Sequence, residues 1–172
     1  MKLYKQELKL SYIKVAHDGI RFLQIATYFF YIVPILFTIY LYIMSLASGT
    51  SFFAPIVQEP MVTVMFVIAM LNPFFGALIH VTIQDLKKAT YVKESLVVLS
   101  MIATAQILIG NIFGSAIVWL GVYRQWKYNR TKYESTLEYA SDRGGFFKII
   151  GGILLFSLSL ICLVLLIKIS LH

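Results

Sequence analysis

Apolar and polar residues come in long blocks along this chain, with none of the short alternation expected of a half-buried strand. Four apolar blocks, residues 22–47, 61–83, 95–123 and 147–171, are separated by polar stretches. Crossing about 30 Å of hydrocarbon takes roughly 20 apolar residues in a helix, so each block predicts a membrane-embedded helical segment. The expected fold is all-α: four embedded segments in one bundle, forming a single membrane domain over residues 1–172. Pro34, inside the first block, is expected to kink it.

The flanks refine this picture. Residues 1–21 place Tyr4, Leu8, Tyr12 and Val15 on one helical side and Lys2, Lys5 and Lys9 away from it, the pattern of a basic helix lying in the membrane interface; a solvated, frayed tail is the alternative. Gly19 marks an expected bend into the first span. Residues 48–60 carry Glu59 and no Lys or Arg, whereas residues 84–94 carry Lys87, Lys88 and Lys93. Basic loops stay in the cytoplasm, so the N-terminus is expected there, in a cell-membrane protein.

The block at 95–123 fits this scheme less simply. Its 29 residues hold no formal charge and would make one helix about 43 Å long, more than a bilayer core requires. A single crossing leaves nine basic residues inside and six outside. A break near Gly110-Asn111 with return to the same side leaves only Lys168 outside, but its two halves are too short to span and must be covered by protein. Both arrangements remain open from sequence. Residues 124–146 form a basic, aromatic loop, cytoplasmic or interfacial, in which the preceding helix is able to continue until Gly144-Gly145 breaks it.

Composition agrees with the blocks. The chain is 59% hydrophobic and 13% charged, with a mean hydropathy of +0.81, outside the range of soluble domains. The net charge of +7 reads as topology and attraction to anionic headgroups. The candidates for headgroup or partner contact are Arg124, Trp126, Lys127, Arg130 and Lys132, and no nucleic-acid partner is expected. One cysteine, Cys162, allows neither an intrachain disulfide nor a thiolate metal cluster.

Chemistry-bearing side chains are sparse. Asn72, Gln106 and Asn111 are amides deep in apolar blocks, where an unpaired polar group is costly; they predict interhelical hydrogen bonds or a small polar site at midplane. Asn72-Pro73 adds a helix interruption. Gly110 and Gly114 make a GxxxG pair with Gly121 seven residues on, suited either to close helix packing or, at Gly110, to a turn needing positive φ. His80 and the pair His17-Asp18 read as interfacial, with no metal site. Ser95, Ser100 and Ser115 have no histidine base, paired carboxylates or metal-binding cluster nearby in sequence, so no catalytic residue, cofactor or enzymatic activity is expected.

Gly110-Asn111-Ile112-Phe113-Gly114, followed by Ile117-Val118-Trp119-Leu120 and a basic patch, resembles a segment of small uncharacterised bacterial membrane proteins that are distantly similar to a chloroplast inner-envelope protein-import component. The resemblance covers residues 106–124. Where that family often has proline, this chain has Ser115. The likeness implies a glycine-asparagine break in the segment and carries no transport activity with it. The functional expectation is a non-enzymatic membrane subunit, either an accessory or interaction component of a transport or secretion assembly or a protective factor. The alternative is a small homo-oligomeric channel or transporter with a polar midplane site.

Overall fold

A computed structural model describes residues 2–88, 91–133 and 143–171, with side chains described for 18–88, 91–127 and 145–171. Among the described residues all regular secondary structure is helical, with no strand. Its helices are α1 (Lys2–Ser48), α2 (Ala54–Gln58), α3 (Pro60–Lys88), α4 (Val92–Leu108), α5 (Ile112–Tyr133) and α6 (Arg143–Ser170). Three stretches are long and apolar enough to cross a bilayer: Asp18–Ser48, Pro60–Lys88 and Gly145–Ser170. They belong to α1, α3 and α6, and they make this a helical membrane protein.

The expected third segment is not one helix. Its two halves, α4 and α5, turn back on each other at Ile109-Gly110-Asn111, and the Ser115 hydroxyl of α5 donates to the Ala103 carbonyl of α4 at 2.8 Å. A bond across the turn between residues so placed is possible only if the two helices run antiparallel. Four embedded segments were expected; three helices of spanning length and one helical hairpin are found.

The depth of the hairpin follows from its contacts with α1. Arg124 pairs with Asp18, Gly121 lies against Leu23 and Gly114 against Phe30, so α5 runs antiparallel to α1 and its start is level with Phe30. At 1.5 Å per residue this is about 18 Å above Asp18, on a helix that continues for about 45 Å. The tip, three to four residues beyond Gly114, therefore reaches about halfway along the spanning stretch Asp18–Ser48 of α1.

Neighbour relations close a ring. α1 packs on α3 and α5, α3 on α6, α6 on α4, and α4 on α5; among the described residues α1 and α6 do not meet. Beyond the hairpin tip the ring lacks two members. There α3 stands between α1 and α6, joined to α1 by the Phe37–Phe66 ring contact at 6.2 Å, and neither α4 nor α5 extends into the space above the tip.

The core follows the same plan. Leu23 and Phe30 of α1, Phe75 and Ile79 of α3, Val98 and Ile102 of α4 and Val118 of α5 are buried at the level of the hairpin. On the outer half of α1, by contrast, Ile32, Ile35, Leu36, Ile39, Ile43 and Leu46 are exposed, as suits side chains facing lipid or another protein.

Several local expectations are corrected. α1 passes through Gly19 without interruption; a Cβ there would sit 2.8 Å from Gln125 Nε2, so this glycine admits α5 rather than bending α1. Gly144-Gly145 does not break a helix but lies in the first turn of α6. α5 continues the preceding helix into the basic stretch as far as Tyr133. The proposed interfacial face of residues 1–17 lies outside the described side chains, although α1 is helical from Lys2.

Candidate functional site

The reversal at the hairpin tip is built from three residues. Gly110 has φ +80°, a left-handed conformation that costs a residue with a Cβ about 1–2 kcal/mol. Around it the Gly110 N–H donates to the Ile107 carbonyl at 3.0 Å and the Asn111 N–H to the Gln106 carbonyl at 2.8 Å. This paired arrangement, the Schellman motif, satisfies carbonyls that the end of α4 would otherwise leave bare.

Asn111 then starts α5. Its Oδ1 accepts from the Gly114 N–H at 3.0 Å, an N-cap, while its Nδ2 donates to Gln106 Oε1 at 2.7 Å. One side chain thus caps one helix and ties it to the other. This is the interhelical amide bond expected of Gln106 and Asn111. The glycine pair divides its roles: Gly110 makes the turn, and Gly114, with Gly121, lets α5 approach α1.

Asn72 stands apart from this pair. Its Nδ2 donates to the Ile68 carbonyl of its own helix at 2.9 Å, next to Pro73, which has no N–H to offer the preceding turn. The Asn72 Oδ1 and the Gln106 Nε2 are both buried and without a partner among the described residues. Asn72 precedes the α3–α4 connection by about as many residues as Gln106 follows it, so these complementary groups lie at similar depth in adjacent helices.

The tip itself is exposed and apolar: Ile107, Ile112 and Phe113 point outward, and Phe113 also meets the Phe29 ring at 5.6 Å. The cap reaches only the third donor of α5. The N–H groups of Ile112 and Phe113 have no acceptor among the described residues.

Charge gathers at the opposite end of the hairpin. Arg124 pairs with Asp18 at 3.1 Å and lies over the Phe22 ring at 4.8 Å. Lys148 of α6 pairs with Asp85 of α3 and sits over Tyr91 at 5.2 Å. The four charges are not visible as pairs in the sequence because their partners are 106 and 63 residues apart. Lys127 and Trp126 are exposed on α5; the side chains of Arg130 and Lys132 lie outside the described residues. His80 is exposed on α3.

No family model, curated protein or solved structure matches this chain.

A groove of about 710 Å³ lies between α4, α5 and α6. Trp119, Tyr123 and Trp126 of α5 face Val97, Ser100 and Thr104 of α4 across it. The Ser100 and Thr104 hydroxyls are spent on the Leu96 and Ser100 carbonyls of α4, leaving the lining apolar. Sequence reading missed this groove, although the spacing of three rings along one face of α5 was a usable signal.

Proposed function

We propose that this protein is a non-enzymatic membrane subunit that binds another membrane protein through the space above its hairpin, as an accessory or protective component of a transport or secretion assembly. The observation that carries this reading is the bare backbone of the tip. Non-helical backbone at membrane depth persists where protein covers it or water fills the space beside it, because an unsatisfied peptide group in hydrocarbon costs several kcal/mol. The exposed Ile107, Ile112 and Phe113 around those N–H groups suit an apolar helix that brings a carbonyl or hydroxyl to them.

The second reading, a homo-oligomeric channel or transporter, is the water-filled case. The unpartnered Asn72 Oδ1 and Gln106 Nε2 speak for it. The aromatic packing of Phe30 on Phe75, with ring centroids 6.3 Å apart, speaks against a path through the protomer at that level.

A photoreactive phenylalanine analogue at position 113 separates the two in intact membranes. A discrete protein adduct, with none from the same analogue at position 53, is the expected result. Adducts with lipid alone would overturn the interaction reading. Rapid reaction of Phe113→Cys, in a Cys162→Ser background, with a water-soluble thiol reagent would favour the channel.

Orientation belongs to the same proposal. With the hairpin returning, all Lys and Arg except Lys168 fall at the end of the bundle where the N-terminus lies, which by the positive-inside rule is the cytoplasm. Cysteines replacing Lys88 and Tyr133 are expected to label from the cytoplasmic side, and one replacing Leu171 from the other side. Labelling of Lys88→Cys and Tyr133→Cys from opposite sides would establish a single crossing instead.

A further inference from the structure

We propose that Asn72, Gln106 and Ser159 hold one internal water molecule, closed inside the bundle at the level of the hairpin tip. This goes beyond the interaction reading, which concerns the outer surface of the tip.

Packing contacts put the three side chains at one level, counted along their helices at 1.5 Å per residue. Against α3, Lys148 of α6 pairs with Asp85 and Gly151 lies against Leu78, so Asn72 is level with residues 157–161 of α6. Against α4, Gly152 lies against Val98 and Met101, which sets Ser159 level with residues 105–108. Gln106 falls within that stretch. A second route agrees: the Ser115 bond to Ala103 sets Gln106 level with Ile112, and the contacts of Gly114 with Phe30 and of Phe30 with Phe75 carry that level through α1 to Asn72-Pro73. The helices α3, α4 and α6 each pack on the other two. Asn72, Gln106 and Ser159 are 1%, 0% and 0% exposed, so all three belong to the inward faces of these helices.

Hydrogen bonding fixes which atoms are left over. The Ile68 carbonyl accepts from Asn72, and a carbonyl pairs only with the amide nitrogen, so Oδ1 is the free atom. The Gly114 N–H fixes Asn111 Oδ1 in the same way; Asn111 Nδ2 then takes Gln106 Oε1 and leaves Gln106 Nε2. Ser159 donates to the Leu155 carbonyl at 2.9 Å and keeps its oxygen as an acceptor. One donor and two acceptors therefore remain at this level.

Water matches that set. It accepts from Gln106 Nε2 and donates to Asn72 Oδ1 and Ser159 Oγ, three bonds, the usual number for a buried water. An ion does not match, because a cation would meet the Gln106 N–H and an anion the two oxygens. The site also offsets the cost of burying two unpaired amide atoms. Through it, α3 and α6 are tied to the Gln106–Asn111 pair that caps the hairpin.

Nuclear magnetic resonance on the full chain in detergent micelles, isotope-labelled at the glutamine side-chain nitrogen, tests the site. The Gln106 amide is assigned by its loss in Gln106→Met. A cross-peak between its protons and water, with the sign of a water that tumbles with the protein, is expected; Ser159→Ala is expected to weaken it and Asn72→Leu to abolish it. A wild-type protein without that cross-peak would overturn the proposal, as would a direct contact between the Asn72 and Gln106 amide protons in its place. A cross-peak of the opposite sign, from water in rapid exchange, would overturn it in favour of the channel reading. So would a cross-peak unchanged in either variant, in favour of a site that these residues do not build. Ser159→Ala removes a single oxygen, so it decides the matter if Asn72→Leu fails to fold.

Discussion

Asn111→Leu is expected to destabilise the protein by about 1.5 to 3 kcal/mol. Two losses combine. Removing an N-cap costs about 0.5–2 kcal/mol, and leaving the buried Gln106 Oε1 without its donor costs about 1–3 kcal/mol more. The second figure belongs near its lower limit, since amide bonds between membrane helices are worth less than their burial suggests. Asn111→Ser keeps an oxygen for the Gly114 N–H and loses the bond to Gln106, so about half the effect should remain. Gly110→Ala tests the other half of the turn and should cost about 1–2 kcal/mol through its left-handed backbone alone. Thermal unfolding in mild detergent, followed by tryptophan emission, checks the series. An Asn111→Leu protein melting with the wild type would mean that the hairpin is held by something other than this side chain.

Gly114→Val is expected to be comparably damaging for a steric reason. A Cβ at Gly114 meets Phe30 Cε1 at 2.7 Å and Asn111 Nδ2 at 2.7 Å. The Phe30 ring is fully buried and held between Phe29 and Phe75, so it has nowhere to retreat. Overpacking of this kind costs about 1–3 kcal/mol, and displacement of Asn111 adds part of the cap. Gly151→Ala is the matched control: its Cβ would lie 3.8 Å from Leu78 Cδ1, an ordinary contact, so stability should hold or rise by about 0.5–1 kcal/mol from helix propensity. A Gly114→Val protein as stable as Gly151→Ala would show that α1 and α5 do not depend on close approach there.

These two residues also show how far sequence reading reaches. Gly110 and Gly114 are conspicuous as a spaced pair, yet spacing alone does not distinguish a packing stripe from a turn. The distinction depends on whether the chain reverses, which is a choice between two arrangements of the same apolar block. Asn111 and Gln106 are five residues apart, so their bond is local and was accessible as a candidate. Asn72 was grouped with them because depth can be counted along a helix, whereas the face on which a side chain lands depends on the neighbours.

Ser115 gives the clearest contrast. In sequence it has no partner; in the structure it is buried, and its hydroxyl reaches a carbonyl twelve residues back on the facing helix. The ion pairs follow the same logic. Asp18 and Asp85 look like ordinary interfacial acids until the fold brings Arg124 and Lys148 against them.

By itself the sequence determined that this chain is helical and suited to a bilayer, which apolar blocks lie at the centre of its three spanning helices, and that its ionisable groups cluster near the ends of those blocks. These are properties of apolar run length, because transfer into hydrocarbon adds up residue by residue without reference to neighbours. Tertiary structure decided that the remaining apolar block folds back at Gly110, which glycines admit a neighbouring helix, and which charges pair. Each of those depends on two segments meeting, and the energy of a meeting belongs to neither segment alone.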